Sequence, residues 1–271
     1  FSMGNQLTFT GGGELDNGMT VGISFVLDQG DDTATTTKAT DPFDGHSVSI
    51  SSDAMGTLVM HGEGGSSAQG AIDTTAAGDI WDTFDGTTTG VKVKSSTAAG
   101  DILVYTLPSM VDGVSVTASY SPQQATATSQ TSYALTYTGV EGLSASYGQG
   151  DASTGSSATD ADSTTMKASY AYGSFTVAYS ENDYASAVAA SDQEMTSYKL
   201  SYTVSDEISV SYGSEEITLE GDTDTAEFDK ISASYTSGGM TVSAGLSESA
   251  NGAHDSATNL DDRDYWSLGL A

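Results

Sequence analysis

Three carboxylates and two large apolar side chains are crowded into one short stretch of the chain. The stretch Asp-Ile-Trp-Asp-Thr-Phe-Asp places Asp79, Asp82 and Asp85 beside Trp81 and Phe84. Carboxylates attract dissolved cations and offer the hard oxygen ligands that Ca2+ prefers. Neither an EF-hand loop nor a glycine-aspartate nonapeptide repeat accompanies them. We therefore expect no cofactor and at most loosely bound Ca2+ at the acidic loops.

The few basic residues are also regularly placed. The chain has 7 Lys plus Arg, and Lys167, Lys199 and Lys230 each precede a serine by two positions. Ammonium groups on one surface and carboxylates on another create a field that orders water and dipolar solutes. This chemistry is electrostatic, and no bond is made or broken.

Enzymatic chemistry lacks a recognisable set of residues. His46, His61 and His254 lie far apart, with neither metal-ligand spacing nor a nucleophile motif beside them. The absence of cysteine excludes thiol catalysis and thiolate metal sites. We therefore expect that the protein is not an enzyme.

The composition excludes further classes of function. The 37 acidic residues against 7 basic ones give a net charge of −30, and no basic cluster is present to neutralise the phosphates of a nucleic acid. The 37% apolar content is low for a closely packed interior. No apolar run of about 18 residues occurs, so the sequence predicts no transmembrane helix.

Apolar and small polar residues alternate along most of the chain. In residues 114–120 every second residue is Val, Ala or Tyr, and Ser or Thr stands between them. The same arrangement recurs at 143–147, 175–179 and 208–212. A period of two is that of a β-strand with two unlike faces.

The connections between these strands are alternately short and long. Short ones carry turn residues, such as Asp112-Gly113 and Glu141-Gly142. The predicted later strands include 142–148, 174–180, 207–213 and 239–247. The whole chain, 1–271, is predicted to form a single all-β domain of about fifteen antiparallel strands. A closed up-and-down barrel needs an even number, so we expect sixteen in the full protein, with the first before Phe1.

The two faces indicate what the sheet contacts. The polar face is almost wholly Ser, Thr, Gly, Lys and Asp, whereas Tyr120, Tyr147, Tyr179 and Tyr212 end apolar stretches. A soluble sandwich needs bulky side chains that interdigitate. Tyrosines at strand ends and a polar lining are instead typical of a membrane barrel that encloses water.

Three stretches resemble the general diffusion porins of Gram-negative outer membranes, particularly the trimeric alphaproteobacterial kind. They are residues 7–23, the segment Met55-Gly-Thr-Leu-Val-Met60 and the closing Tyr265-Trp-Ser-Leu-Gly-Leu270. The resemblance implies a multi-pass, sixteen-stranded transmembrane barrel in the outer membrane. Its partners would be membrane lipid, lipopolysaccharide and two further copies in a homotrimer. That family ends in an aromatic residue, whereas this chain stops at Ala271, so we expect the last residues to be missing as well.

The family resemblance also implies a constriction, formed by an inward-folded third loop. Residues 63–99 are the candidate because they are the longest loop and follow the fifth strand when the strand expected before Phe1 is counted. In this interpretation Asp79, Asp82 and Asp85 face the pore, and Trp81 and Phe84 anchor the loop to the inner wall. An acidic, solvated surface loop is the alternative.

The alternation of the strands predicts the direction in which the lysine side chains point. Their neighbours are apolar, so Lys167, Lys199 and Lys230 point inward and form a basic strip that faces the acidic loop across the lumen. Local pairing of the lysines with lumen acids, or a place near the rim, is the alternative.

The favoured function is an outer-membrane porin through which small hydrophilic solutes and ions diffuse passively, with a mild preference for cations. A substrate-specific channel of the same fold is one alternative. An acidic secreted β-rich adhesin or surface-layer protein is the other.

Overall fold

The computed structural model describes residues 6–27, 43–72, 75–84, 93–94, 101–122, 129–153, 160–222, 224–252 and 262–270. These ranges contain fifteen β-strands and two short 3₁₀ turns, Trp81–Phe84 and Ala189–Ser191. The first eight strands are β1 Leu7–Glu14, β2 Thr20–Leu27, β3 Phe43–Ser52, β4 Gly56–Glu63, β5 Ile102–Thr106, β6 Val114–Ser121, β7 Ser129–Tyr137 and β8 Leu143–Ser153. The others are β9 Ala161–Tyr172, β10 Phe175–Ser186, β11 Gln193–Thr203, β12 Ile208–Leu219, β13 Ala226–Ser237, β14 Met240–Ala250 and β15 Arg263–Leu270. Within these ranges, no helix has the length and apolar character needed to cross a membrane.

The strands form one continuous sheet in chain order. The sheet runs from β1 to β15, each strand pairing with its neighbours in sequence, and every pair is antiparallel, from Leu7 opposite Leu27 to Val242 opposite Leu270. In the part of the chain that the structure describes, β1 and β15 are the two edges of the sheet. The predicted all-β, antiparallel up-and-down fold is confirmed.

Tight turns connect the strands at one end of the sheet. Gly113 and Gly142 have φ of 73° and 78°, in the left-handed region that glycine adopts without steric cost. A Cβ at Gly142 would also clash with the carbonyl oxygen of Ala171. Close approach of the next strand therefore excludes a side chain at this turn.

Several strands extend beyond the ends that the alternation predicts. β8, β10, β12 and β14 continue to residues 153, 186, 219 and 250, through segments that the sequence assigns to long loops. Charged residues replace apolar ones on the outward face there, so the hydropathy pattern stops. Backbone pairing continues because its hydrogen bonds do not depend on side-chain polarity.

The outward face is apolar and exposed. Val177 and Leu200 are 52% and 46% exposed, and aromatic rings pair across strands, as where Phe175 and Tyr202 have ring centroids 4.6 Å apart. Such a face is stable only against an apolar surrounding.

The inward face is polar, and its hydroxyl groups bond to one another across strands. Ser211 and Ser232 lie with their Oγ atoms 2.7 Å apart, and Ser119 and Ser132 are 2.6 Å apart. Cross-strand hydroxyl pairs stabilise the sheet while leaving a wettable surface. The wall therefore has the polarity of a water-filled interior.

We predict that Leu200→Arg destabilises the folded protein far more than Ser201→Arg. Leu200 faces outward near the middle of β11, and Ser201 is the adjacent inward residue. A charge on the lipid side near the bilayer midplane costs about 2–4 kcal/mol, whereas the lumen side is wet. Reversible unfolding from lipid vesicles measures the difference, and equal losses for the two variants would contradict the assignment of the faces.

Candidate functional site

Part of the connection between β4 and β5 lies against the inner face of the sheet. Residues 67–72 and 75–84, called the inner segment below, contact wall residues of β6 to β13. Gln69 and Thr75 are almost completely buried, as is Ile80. The inner segment is therefore packed on the wall.

Serines of the wall accept hydrogen bonds from backbone N–H groups in the first half of the segment. The amide N–H of Ala68 donates to Ser119 Oγ at 3.0 Å, and that of Gln69 donates to Ser132 Oγ at 3.2 Å. These two serines are the pair that also bond to each other. The hydroxyl pairs of the wall thus serve as acceptors for a chain that has left regular structure.

The side chain of Gln69 is held by β9, which is bonded there to β10. Its Nε2 donates to Thr165 Oγ1 at 2.9 Å, and its Oε1 accepts from Ser163 Oγ at 2.8 Å. Thr165 Oγ1 in turn donates to Asn182 Oδ1 at 2.7 Å. The buried amide is therefore satisfied at both ends, as burial of a polar group requires.

A carboxylate of the wall holds the second half of the segment. The N–H of Ala77 donates to Ser197 Oγ at 2.9 Å, and the N–H of Trp81 donates to Glu215 Oε2 at 3.0 Å. Glu215 is 0% exposed. The Glu215 oxygen therefore satisfies a backbone N–H that has no strand partner.

An apolar contact accompanies these hydrogen bonds. Phe84 is buried, and its ring centroid lies 5.8 Å from that of Phe228 on β13. Trp81 is half-buried and packs against the same cluster. The buried members of the cluster are Ala77, Ile80, Phe84, Met195, Ile217, Ala226 and Phe228. Apolar wall residues at the outer ends of β11 to β13 thus break the polar lining where the segment lies.

The lysines lie on the wall that carries the inner segment. Lys167 Nζ donates to the carbonyl oxygen of Thr75 at 2.8 Å, and Lys199 and Lys230 are the cross-strand partners of Gly213 on either side. The sequence predicts that the strip faces the acidic segment across the lumen. The structure differs because the segment packs on the lysine side of the wall.

The predicted carboxylates occupy the exposed side of the segment. Asp79 and Asp82 are exposed, and Asp79, with φ of 52°, accepts a hydrogen bond from Thr75 Oγ1 at 2.8 Å. Asp85 lies outside the described residues. The segment therefore turns apolar groups to the wall and at least two carboxylates away from it.

Lys94 marks the return of the chain to the wall. Its N–H donates to Gln193 Oε1 at 2.7 Å, its carbonyl accepts from Asn182 Nδ2 at 3.1 Å, and its Nζ donates to the carbonyl oxygen of Ser191. Its Nζ also lies 5.8 Å from the ring centroid of Tyr184.

Acidic residues also cluster on the outward face. The carboxylates of Glu181, Asp183 and Glu194, on β10 and β11, lie within 4.8 Å of one another. Dissolved cations near such a cluster reduce its internal repulsion. The cluster lies on the outer wall, away from the acidic inner segment.

Sequence reasoning did not single out Gln69, Ile80 or Glu215. A signal for the wall contacts was present, because Met195, Ile217 and Phe228 are apolar at positions whose alternation points inward. An apolar residue on the polar face predicts that something covers it. Glu215 is one of many acids in the sequence, and only its burial distinguishes it.

A continuous antiparallel sheet with an apolar exterior, a polar interior and an inward-packed connection defines a transmembrane β-barrel channel. This chain belongs to the Gram-negative porin family, whose model matches residues 1–235. A comparison with curated proteins found no match.

Solved porin structures share the fold at low sequence identity. A porin refined at 1.8 Å resolution is 18% identical, with a TM-score of 0.65 over 98% of this chain and 92% of that one. The anion-selective porin from Comamonas acidovorans is 16% identical, with a TM-score of 0.60 over 91% of this chain and 78% of that one. OmpT of Vibrio cholerae is 12% identical, with a TM-score of 0.60 over 98% and 88%.

The family and the fold confirm the porin function, and the preference for cations stays a prediction. The protein is an outer-membrane porin that allows passive diffusion of small hydrophilic solutes and ions. Family and fold indicate a channel rather than an enzyme. The alternative of a secreted adhesin is wrong, because the chain forms the membrane barrel of this family.

We predict that Glu215→Ala loosens the inner segment, whereas Glu215→Gln does so much less. The alanine variant removes the acceptor of the Trp81 amide and leaves a space beneath it, while glutamine keeps an oxygen at that place. The chain has 2 Trp, so a Trp266→Phe background makes Trp81 the only tryptophan, which is excited selectively at a wavelength where tyrosine does not absorb. We expect a red-shifted emission and easier iodide quenching for the alanine variant. Identical spectra for Ala, Gln and the parent would contradict a holding role for Glu215.

Proposed function

We propose that residues 63–99 form the constriction of this porin, with the inner segment narrowing the lumen. The proposal is supported by the row of contacts that follows the segment around the wall, from Ser119 on β6 to Phe228 on β13. A chain bonded to successive strands in this way occupies lumen cross-section without closing the channel.

We propose that Asp79, Asp82 and Asp85 line the narrowed passage and give it a mild preference for cations. The exposure of Asp79 and Asp82 supports this role. The ammonium group of Lys167 donates a hydrogen bond to the carbonyl oxygen of Thr75. The inner segment covers the wall at Gly213, whose cross-strand partners are Lys199 and Lys230. Because Asp79 and Asp82 are on the exposed side of the segment, we infer that their potential at a passing ion outweighs that of the lysines.

The porin from Comamonas acidovorans is described as anion-selective, so the preference for cations proposed for this chain is of the opposite sign. The shared fold sets a wet lumen, and the local charges at its narrowest part set the sign of selectivity.

We predict that the double variant Asp79→Asn/Asp82→Asn loses cation preference. The reversal potential of planar bilayers under a salt gradient should move toward zero, with the permeability ratio falling by about twofold as the local carboxylate potential is removed. Asp16→Asn/Asp112→Asn, at exposed turns, is the matched control with the same change in net charge. Equal shifts in both variants would assign selectivity to the overall charge instead.

The same bilayer experiment separates general diffusion from specific transport. A diffusion pore gives a conductance that rises in proportion to salt concentration and is not blocked by small sugars. Saturation and block by one solute would instead favour the substrate-specific alternative.

We propose that the barrel assembles as a homotrimer through the outward face of β1 to β4. All 14 tyrosines of the chain lie at or after Tyr105, so these four strands carry none, although tyrosine is the residue that marks the lipid–water interface. Their outward face is apolar, with the stacked rings of Phe9 and Phe25 beside aliphatic residues such as Ile23 and Ile50. An apolar pocket of about 350 Å³ lies at its turn end, lined by Ile50, Leu58 and Met55 among others. These features suit contact with a second copy better than contact with headgroups.

We predict that Ile23→Trp lowers the fraction of trimer, whereas Val177→Trp does not. Both side chains are about half exposed on the outward face, at 48% and 52%. Lipid accommodates a larger ring, but a packed subunit interface does not. Analytical ultracentrifugation in detergent measures the trimer fraction. Intact trimer in the Ile23 variant, or loss in the Val177 variant, would contradict this interface.

We further propose that the outer rim faces lipopolysaccharide, with loosely bound divalent cations such as Ca2+ between them. Toward the ends of the strands that lead into long connections, outward carboxylates follow the outward tyrosines. On β10, Glu181 and Asp183 follow Tyr179 in this way. Tyr179 Oη donates to Glu181 Oε2 at 2.9 Å. Carboxylates at the depth of lipid phosphates need cations to offset their repulsion.

A further inference from the structure

The inner segment approaches the wall most closely where the wall residue is glycine. On β12, a Cβ built on Gly213 would lie 2.8 Å from the Cβ of Ala77 and 3.4 Å from Ile80 Cδ1. On β8, a Cβ on Gly148 would lie 2.9 Å from Ile72 Cδ1 and 3.2 Å from Gln69 Cα. Carbon atoms in favourable contact are about 3.5–4.0 Å apart. Both halves of the segment therefore lie on a wall position that has no room for a side chain.

The glycines are not required by their own backbone conformation. Gly148 and Gly213 lie within β8 and β12 and pair on both sides, Gly213 with Lys199 and Lys230. Alanine or valine is favoured over glycine in a strand interior. The absence of a side chain at these two positions thus serves the contact with the segment.

The two contacts differ in how easily they give way. At Gly148 the nearest atom is the end of the flexible Ile72 side chain. At Gly213 the nearest atom is the Cβ of Ala77, which cannot move without its backbone. The strand beneath is held by ladders to both neighbours, so a side chain at 213 would displace the segment toward the lumen by about 1 Å.

We infer that Gly213, with Gly148 in support, sets the distance between the inner segment and the wall and so sets the width of the pore. The inference rests on the proposed constriction. It holds that the largest solute that can pass the segment is determined by a residue of the wall beneath the segment. Gly213 lies beneath Ala77 and does not itself line the passage. It acts by positioning the segment, and the solute does not need to touch it.

The test is a series of single-channel conductances in planar bilayers, with exclusion of uncharged polyethylene glycols of graded size as a second readout. We expect conductance to fall in the order Gly213, Gly213→Ala, Gly213→Val, with a loss on the order of one third for valine as the lumen cross-section shrinks. The glycol size that enters the pore should decrease in the same order.

A double-variant cycle tests the named contact. Ala77→Gly removes the Cβ that opposes the new methyl group, so Gly213→Ala/Ala77→Gly should recover the conductance measured for Ala77→Gly alone. Gly245→Ala is the matched control. Its new Cβ would meet Ser267 Oγ at 3.1 Å and Lys230 Cε at 3.6 Å, so we expect its conductance to equal that of the parent.

Heat-modifiable gel mobility establishes that each variant is folded. If Gly213→Val does not fold, the alanine variant and Gly148→Ala carry the test. Unchanged or increased conductance in folded Gly213 variants, or failure of Ala77→Gly to restore it, would overturn the inference. A parent protein that forms no channel, or one whose selectivity ignores Asp79 and Asp82, would instead refute the proposed function.

Discussion

Hydrocarbon offers no hydrogen bonds, so each backbone N–H and C=O within the bilayer must find its partner in the protein. In this chain an antiparallel ladder between consecutive strands meets that requirement. The ladder also determines the direction of every side chain, because residues alternate between the two faces. An apolar exterior with Leu200 and a hydroxyl-rich interior with Ser211 and Ser232 are consequences of the same pairing.

The polar inner face of the sheet contacts the inner segment as well as water. The connection between β4 and β5 leaves regular structure and so carries amides without strand partners. Ser119, Ser132 and Ser197 accept those amides, and buried Glu215 accepts another. A lining of Ser and Thr, which by composition alone indicates only wettability, therefore also satisfies the backbone of a second layer.

Packing and charge divide the work of placing this layer. The apolar cluster around Phe84 and Phe228 holds one end of the segment by burial, which is not an interaction between charges and is not screened by salt. Lys167 holds its middle through a carbonyl oxygen. Because the ammonium group of Lys167 is bonded to this carbonyl oxygen, it is held at the segment and does not extend freely into the lumen. The exposed carboxylates Asp79 and Asp82 remain as the nearest charges on the open side of the segment.

A period of two, short turns with glycine and one face that is almost wholly polar predict the all-β, up-and-down fold, because those signals are local. The resemblance of three short stretches and the outward tyrosines further indicate a membrane barrel. Strand ends are predicted less well, since pairing continues through Glu181 and Asp183 after the hydropathy pattern has stopped. Which wall the inner segment lies on, the burial of Glu215 and the closeness of Gly213 to Ala77 are decided only in the tertiary structure. They depend on contacts between residues far apart in the chain, such as 51 positions for Ala68 and Ser119 and 134 for Trp81 and Glu215. An alternating pattern records the face of a residue but not what is packed against it.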